Sequence, residues 1–208
     1  MRQKRRLVVA MSGATGAIYG IRLLEVLRAG GEVETHLVLS RWAEQTIALE
    51  TAYTPAQVKE LADYCYDVGN VGAPIASGSF AGGGMVIIPC SMKTVAAIAH
   101  GYADNLIARA ADVTLKERRR LVVVARETPL NEVHLENMLR LTRAGGIIVP
   151  PVPAFYHRPQ SIDDLVNHLV GRVLDLLEIP NDLAARWGET MRPLARAGSS
   201  GRDGGKSW

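Results

Sequence analysis

Short apolar runs alternate with amphipathic stretches along most of this chain. The runs at 6–11, 34–40, 85–89, 121–125 and 147–149 have the length of strands, with little of the strict alternation of a half-exposed sheet. Between them the period lengthens. Over 18–29, Ile21, Leu24 and Leu27 share one helical face and Arg22, Glu25 and Arg28 another, with Gly30 and Gly31 as the stop. Further helices are predicted over 42–49, 55–64, 91–100, 105–116 and 131–143, whereas 70–78 reads as turn-rich. The clearest helix begins at Ser161, which can cap it with Asp164 at the third position. Ile162, Leu165, Val166, Leu169, Val170, Val173, Leu174 and Leu177 then form one apolar stripe.

Strands that each lead into a helix predict an α/β fold: a three-layer, doubly wound, mostly parallel sheet of Rossmann-like or flavodoxin-like type. The length of 208 residues suits one core, and no internal repeat stands out. A single domain is expected over 1–190. The Gly- and Ser-rich end, 191–208, is expected to be a flexible tail.

Composition narrows the function classes. At 48% hydrophobic and 22% charged residues the chain is an ordinary globular protein. The net charge of +3 gathers in Arg2, Lys4, Arg5, Arg6 and Arg118–Arg120, which read as solvated ends of elements and not as a nucleic-acid surface. The apolar run after the basic start is too short for a signal peptide, and no run is long enough to span a bilayer. Cys65 and Cys90 form no disulfide framework and have no metal-ligand spacing, and the five histidines are scattered. A cytoplasmic protein with no metal, membrane or nucleic-acid partner is expected.

A doubly wound fold binds its ligand beyond the carboxyl ends of the strands. The loop Ser12-Gly13-Ala14-Thr15-Gly16 lies there, where small residues let backbone amides and a helix N-terminus approach a phosphate. A tight turn with no ligand is the plain alternative. The spacing Gly13, Gly16, Gly20 is not the dinucleotide pattern, and the second strand ends in Ser40 where an acidic residue would hold a ribose. A mononucleotide fits better. Ser91-Met92-Lys93-Thr94 opens a later helix with two hydroxyls and a cation, a second anion site. Arg126 and Glu127 close the strand at 121–125, either as an ion pair or as a phosphate ligand beside a proton-transfer group.

Several of these segments also carry a family resemblance. The run S-G-A-T-G-A-x-Y-G-x-R-L-L, followed in order by S-G-S-F, P-C-S-M-K-T, N-L-I-A-R-A-A-D-V-x-L-K-E-R-R, R-E-T-P-L, H-L-E-N-M-L and P-P-V-P-A-F-Y-H-R-P, resembles the UbiX-type flavin prenyltransferases from about Leu7 to Trp187. The resemblance implies an enzyme that joins the dimethylallyl group of dimethylallyl phosphate to N5 and C6 of reduced FMN without a metal. The product, prenylated FMN, would pass to a UbiD-type decarboxylase. It implies FMN contacts from Gly13, Ala14, Thr15, Ser40, Ser91, Met92, Lys93, Thr94 and Arg126. Arg109, Tyr156 and Arg172 would hold the ester, and Glu50, Lys116 and Glu127 would act on the leaving phosphate and on proton transfer. A homo-oligomer, commonly of twelve chains, is implied as well.

Two positions depart from the family pattern: Thr15 where some members carry Ser, and Val71 where some carry Trp. Two alternatives share the fold. An FMN-dependent cysteine decarboxylase would carry a P-x-M-N-x-x-M-W segment, which this sequence lacks, and a non-catalytic FMN-binding regulatory protein would not need a second phosphate site. Asp163-Asp164 is read as the first turn of the last helix, where carboxylates suit the dipole, and not as a magnesium motif.

Overall fold

The structure, a computed structural model, describes residues 4–183; the remainder of the expected 1–190 domain and the whole expected tail at 191–208 lie outside the described residues. Six strands form one sheet: β1 (Arg5–Met11), β2 (Val33–Leu39), β3 (Tyr64–Tyr66), β4 (Met85–Cys90), β5 (Leu121–Ala125) and β6 (Gly146–Ile148). Their order across the sheet is β3-β2-β1-β4-β5-β6, with every pair parallel. The helices are α1 (Ala17–Gly30), α2 (Arg41–Glu50), α3 (Pro55–Glu60), α4 (Met92–Ala99), α5 (Leu106–Lys116), α6 (Glu132–Arg143) and α7 (Ile162–Leu176).

Strand β1 shows why its sequence lacks alternation. Leu7, Val9 and Met11 enter one apolar cluster with α1, α2 and α7, while Val8 and Ala10 enter the other with α4 and α5. Both faces are dry, so both parities are apolar. Chain order reverses between β1 and β4, which places the topological switch point between these strands. Gly20 lets α1 settle there: a Cβ at this position would lie 2.4 Å from the Ile88 carbonyl oxygen on β4.

The capping box at Ser161 and Asp164 forms, and Val166, Leu169, Val170, Val173, Leu174 and Leu177 are buried. Ile162, the first residue of α7, departs from the expected stripe at 77% exposure. The larger correction concerns the helix expected over 55–64. It stops at Glu60, and residues 64–66 form the edge strand β3 on His36–Val38. Asp63 explains the break: its carboxylate accepts hydrogen bonds from the Thr35 amide at 2.7 Å and the Thr35 hydroxyl at 2.9 Å, which pulls the chain to the sheet edge. Tyr64 and Tyr66 then stack on His36, with ring centroids 4.9 and 5.9 Å apart.

Candidate functional site

Parallel strands end together, so the loops after β1, β2, β4 and β5 share one edge. The backbone ties them: Ser12 N–H donates to the Pro89 carbonyl, Ser40 N–H to that of Met11 and Arg126 N–H to that of Cys90, each at 3.0 Å. Between them lies a cleft of about 530 Å³ lined by Ser12, Gly13, Ser40, Arg41, Trp42, Val68, Ser91, Lys93, Thr94, Asp104, Asn105 and Ile107. Gly13 is tightly fitted here, since a Cβ would lie 2.3 Å from the Trp42 Cβ.

Three helices, α2, α4 and α5, begin at this cleft, each presenting the positive end of its dipole. Two are capped by side chains. Ser40 Oγ accepts from the Ala43 amide at 3.0 Å, and Asn105 Oδ1 from the Ala108 amide at 3.1 Å. The α4 N-terminus has no side-chain cap, because the Ser91 hydroxyl instead meets Thr94 Oγ1 at 3.1 Å and Ser12 Oγ at 3.3 Å. Ser12 Oγ in turn accepts from the Ser91 amide at 2.8 Å. Open amides, three hydroxyls and Lys93 form an environment for an anion such as a phosphate.

Ser12 and Gly13 of the first loop line the cleft, and the end of that loop is tied to α2. The amides of Gly16 and Ala17 at the start of α1 donate to Glu50 Oε2, at 2.8 and 3.2 Å. That end of α1 already has a carboxylate partner, whereas the α4 N-terminus has no side-chain cap. Ala14 N–H closes a tight turn on the Ser12 carbonyl, and Thr15 is exposed outside the cleft lining. The Met92 side chain is buried in the core, which leaves its backbone as the part that can face a ligand.

Arg126 and Glu127 follow β5 at the same edge. Arg126 is half-buried, while Glu127 is exposed and accepts from the Thr128 amide at 3.1 Å. Arg109 and Lys116 are not brought to the cleft within one chain. Lys116 ends α5, which starts at the cleft and runs away from it, whereas Arg109 is in the first turn of α5 but is not among the cleft-lining residues. Arg109 donates to the Ala76 carbonyl at 3.2 Å and pairs with Asp112 at 2.9 Å; Lys116 pairs with Glu117 beside Gly78. Val71 is a half-exposed turn residue.

Tyr156 and Arg172 are held on the α7 side. Arg172 pairs with Asp175 at 3.1 Å, and the Tyr156 hydroxyl lies 2.7 Å from Nε2 of His168. Burial, His157 and Arg172 all push His168 below its ordinary pKa. The Cys90 thiol is fully buried, and desolvation pushes its pKa up to about 12, so it is no nucleophile at neutral pH. Among the described residues no group of three or more His, Cys, Asp or Glu side chains is placed to hold a metal ion, and no helix is long and apolar enough to cross a membrane.

Sequence reading did not place Trp42, Asp104 or Asn105 at the cleft, nor His168 beside Tyr156. Asn105 had a readable signal as a helix N-cap; Trp42 and His168 had none, because only the fold sets what they face.

Comparison with known proteins gives a consistent picture. The Flavoprotein family profile matches residues 1–174. A probable UbiX-like flavin prenyltransferase of Streptomyces sp. (strain D7) is 58% identical over 196 residues, covering 94% of this chain and 98% of the relative. A solved structure of AnUbiX (PadA1), in complex with FMN and dimethylallyl pyrophosphate, superposes with a TM-score of 0.87 at 58% identity, covering 89% of this chain and 98% of that one. A dodecameric FMN-dependent UbiX-like decarboxylase from Escherichia coli O157:H7 superposes with a TM-score of 0.86 at 54% identity, covering 88% and 98%.

Proposed function

We infer the division of labour at the site from one premise: the chain belongs to the Flavoprotein family and, within it, to the UbiX-like flavin prenyltransferases. Its activity is the transfer of a dimethylallyl group to reduced FMN, giving prenylated FMN. Reduced FMN supplies the electron-rich nitrogen and ring carbon that take up the five-carbon unit.

The observation that carries the assignment of residues is the open α4 N-terminus in a cleft already lined by Gly13, Ser40 and Lys93. These groups fit the flavin nucleotide: backbone amides and hydroxyls for its polar atoms, Lys93 for negative charge, and close backbone approach at Gly13. Ser91, Thr94 and the backbone of Met92 complete that cradle, with Arg126 at its rim and Ala14 and Thr15 in the adjoining turn.

The allylic ester leaves its phosphate behind when the carbon–oxygen bond breaks, so charge builds on the phosphate oxygens. Fixed cations are the groups that lower the cost of that charge. Arg172 and the hydroxyl of Tyr156 serve it from α7 and its preceding loop. Lys116, at the far end of α5, and Arg109, turned to the Ala76 carbonyl and Asp112, serve the cleft of a neighbouring copy. Glu127, exposed at the end of β5, takes the proton-transfer role, and Glu50 contributes by fixing the first loop.

A homo-oligomer, twelve chains in the related Escherichia coli structure, also suits the exposed apolar side chains. Val133, Leu135 and Leu139 on α6 are all at least half exposed, as are Phe155 and Val152. The product passes to a UbiD-type decarboxylase. Two unpaired cysteines, one of them exposed, fit a reducing cytoplasm. Both apolar clusters share one sheet, which supports 1–190 as one flavin-binding unit.

The ester is taken as the monophosphate, whereas the related AnUbiX (PadA1) structure holds the diphosphate. Anaerobic incubation with FMN, a reductant and each ester in turn tests this choice. Faster conversion of dimethylallyl monophosphate is expected; a preference for the diphosphate would overturn it.

A further inference from the structure

The two ester-directed groups on the α7 side, Tyr156 and Arg172, arrive from different elements, and a third residue lies between them. The Tyr156 hydroxyl, from the loop after β6, lies 2.7 Å from His168 Nε2. His168 and Arg172 are four apart on α7 and therefore share one helix face. The His157 ring lies flat on His168, with centroids 4.6 Å apart and planes within 4°. Both ring nitrogens of His157 are buried, with no hydrogen-bond partner among the described residues. Stacked in this way, His157 shields the Tyr156–His168 hydrogen bond from water, and such a bond strengthens in a low dielectric.

We propose that His168 is a positioning residue for the ester phosphate: it fixes the Tyr156 hydroxyl about one helical turn from Arg172, so that hydroxyl and guanidinium meet one phosphate together. This deepens the prenyltransferase reading and rests on it. The proton inventory is consistent. A phosphate oxygen accepts, so Tyr156 donates its O–H to the ester. Its own oxygen then accepts from His168, whose single proton sits on Nε2 in the complex. In the free protein the same pair is satisfied with Tyr156 donating to Nε2. A neutral imidazole performs both roles by exchanging tautomers, and burial, His157 and Arg172 all disfavour the His168 cation.

Two substitutions separate positioning from packing. His168→Phe keeps a ring for His157 to stack on but removes the nitrogen, whereas His168→Gln keeps an amide that donates and accepts. Binding of dimethylallyl phosphate to the intact protein loaded with oxidised FMN is followed by calorimetry, and KM and kcat are measured with reduced FMN. H168F is expected to weaken ester binding and raise KM about tenfold, with FMN affinity unchanged and kcat within about threefold. H168Q recovers most of the loss. The double variant Y156F/H168F loses no more than Y156F alone, because both remove the same hydrogen-bonded unit. Equal ester affinity in wild type and H168F, or additive losses in the double variant, would overturn the proposal. Should H168F fail to retain FMN, His168→Ala decides in the same binding assay: an ester affinity unchanged from wild type overturns the proposal, and a tenfold loss that H168Q recovers sustains it. Wild type that binds the ester but yields no prenylated flavin contradicts the prenyltransferase reading, and the binding comparison still judges His168.

Discussion

Glu50, the last residue of α2, holds the start of α1 by accepting the Gly16 amide at 2.8 Å. The same oxygen accepts the Ala17 amide at 3.2 Å. Gly16 has no side chain to cap its own helix, so a carboxylate from the next helix does it, where it also suits the dipole. Glu50→Ala is expected to cost about 1–2 kcal/mol of stability, and Glu50→Gln less, because the amide oxygen still accepts. Urea unfolding of the three proteins measures it; equal midpoints would remove Glu50 from this role.

Gly13 is the point of closest approach between the first loop and α2. An added Cβ would meet the Trp42 Cβ at 2.3 Å, and neither atom belongs to a flexible tip that could swing away. Gly13→Ala must therefore shift the loop or the helix, and the cleft with it. A fall in FMN affinity of about tenfold or more is expected, read from quenching of flavin fluorescence. Unchanged affinity would show that the loop does not shape the flavin site.

Glu127 is exposed and makes only a local bond to the Thr128 amide at 3.1 Å, so its removal should leave the fold intact. Glu127→Gln is expected to bind FMN as wild type does and to form product at least about tenfold more slowly, the lower range for loss of a proton-transfer group. Single-turnover flavin spectra read both quantities in one experiment. Unchanged turnover would take the proton-transfer role away from this residue.

Cys90 offers a pH test of the core. Burial raises its folded-state pKa to about 12, above that of an unfolded thiol, so protonation favours the folded state. That contribution is full below about pH 8.5 and is lost as pH rises towards 12. Cys90→Ala is expected to lose less stability than wild type between pH 8.5 and the folding limit, and to keep its turnover at neutral pH. Denaturant midpoints along an alkaline series check the first; a large loss of turnover would show that the thiol takes part in the reaction.

Much of the fold was legible because its signals were local. Leu7–Met11 of β1 and all of β5 are apolar at both parities, and α7 announces itself with a capping box and a stripe. Strand β3 was not legible: Tyr64–Tyr66 is three residues long, and its place depends on Asp63 finding Thr35, 28 positions away. The site divides in the same way. Ser91–Thr94 could be read because hydroxyls and a cation at a helix start have a chemistry of their own. Glu50 could be placed only by the resemblance, and its bond to the α1 amides appears only when the chain is folded. The resemblance implies Arg109 as an ester ligand and Lys116 as a group acting on the leaving phosphate, yet neither lines the cleft of its own chain. No pattern along one chain records which residues a neighbouring copy would supply.

The central claim concerns what happens to the flavin. The protein is mixed with FMN, a reductant and dimethylallyl phosphate in the absence of oxygen, and the bound flavin is released and weighed by mass spectrometry. A flavin heavier by one five-carbon unit, formed only when protein and ester are both present, is the predicted result. Flavin of unchanged mass that stays bound to the protein would contradict the account and leave an FMN carrier in its place.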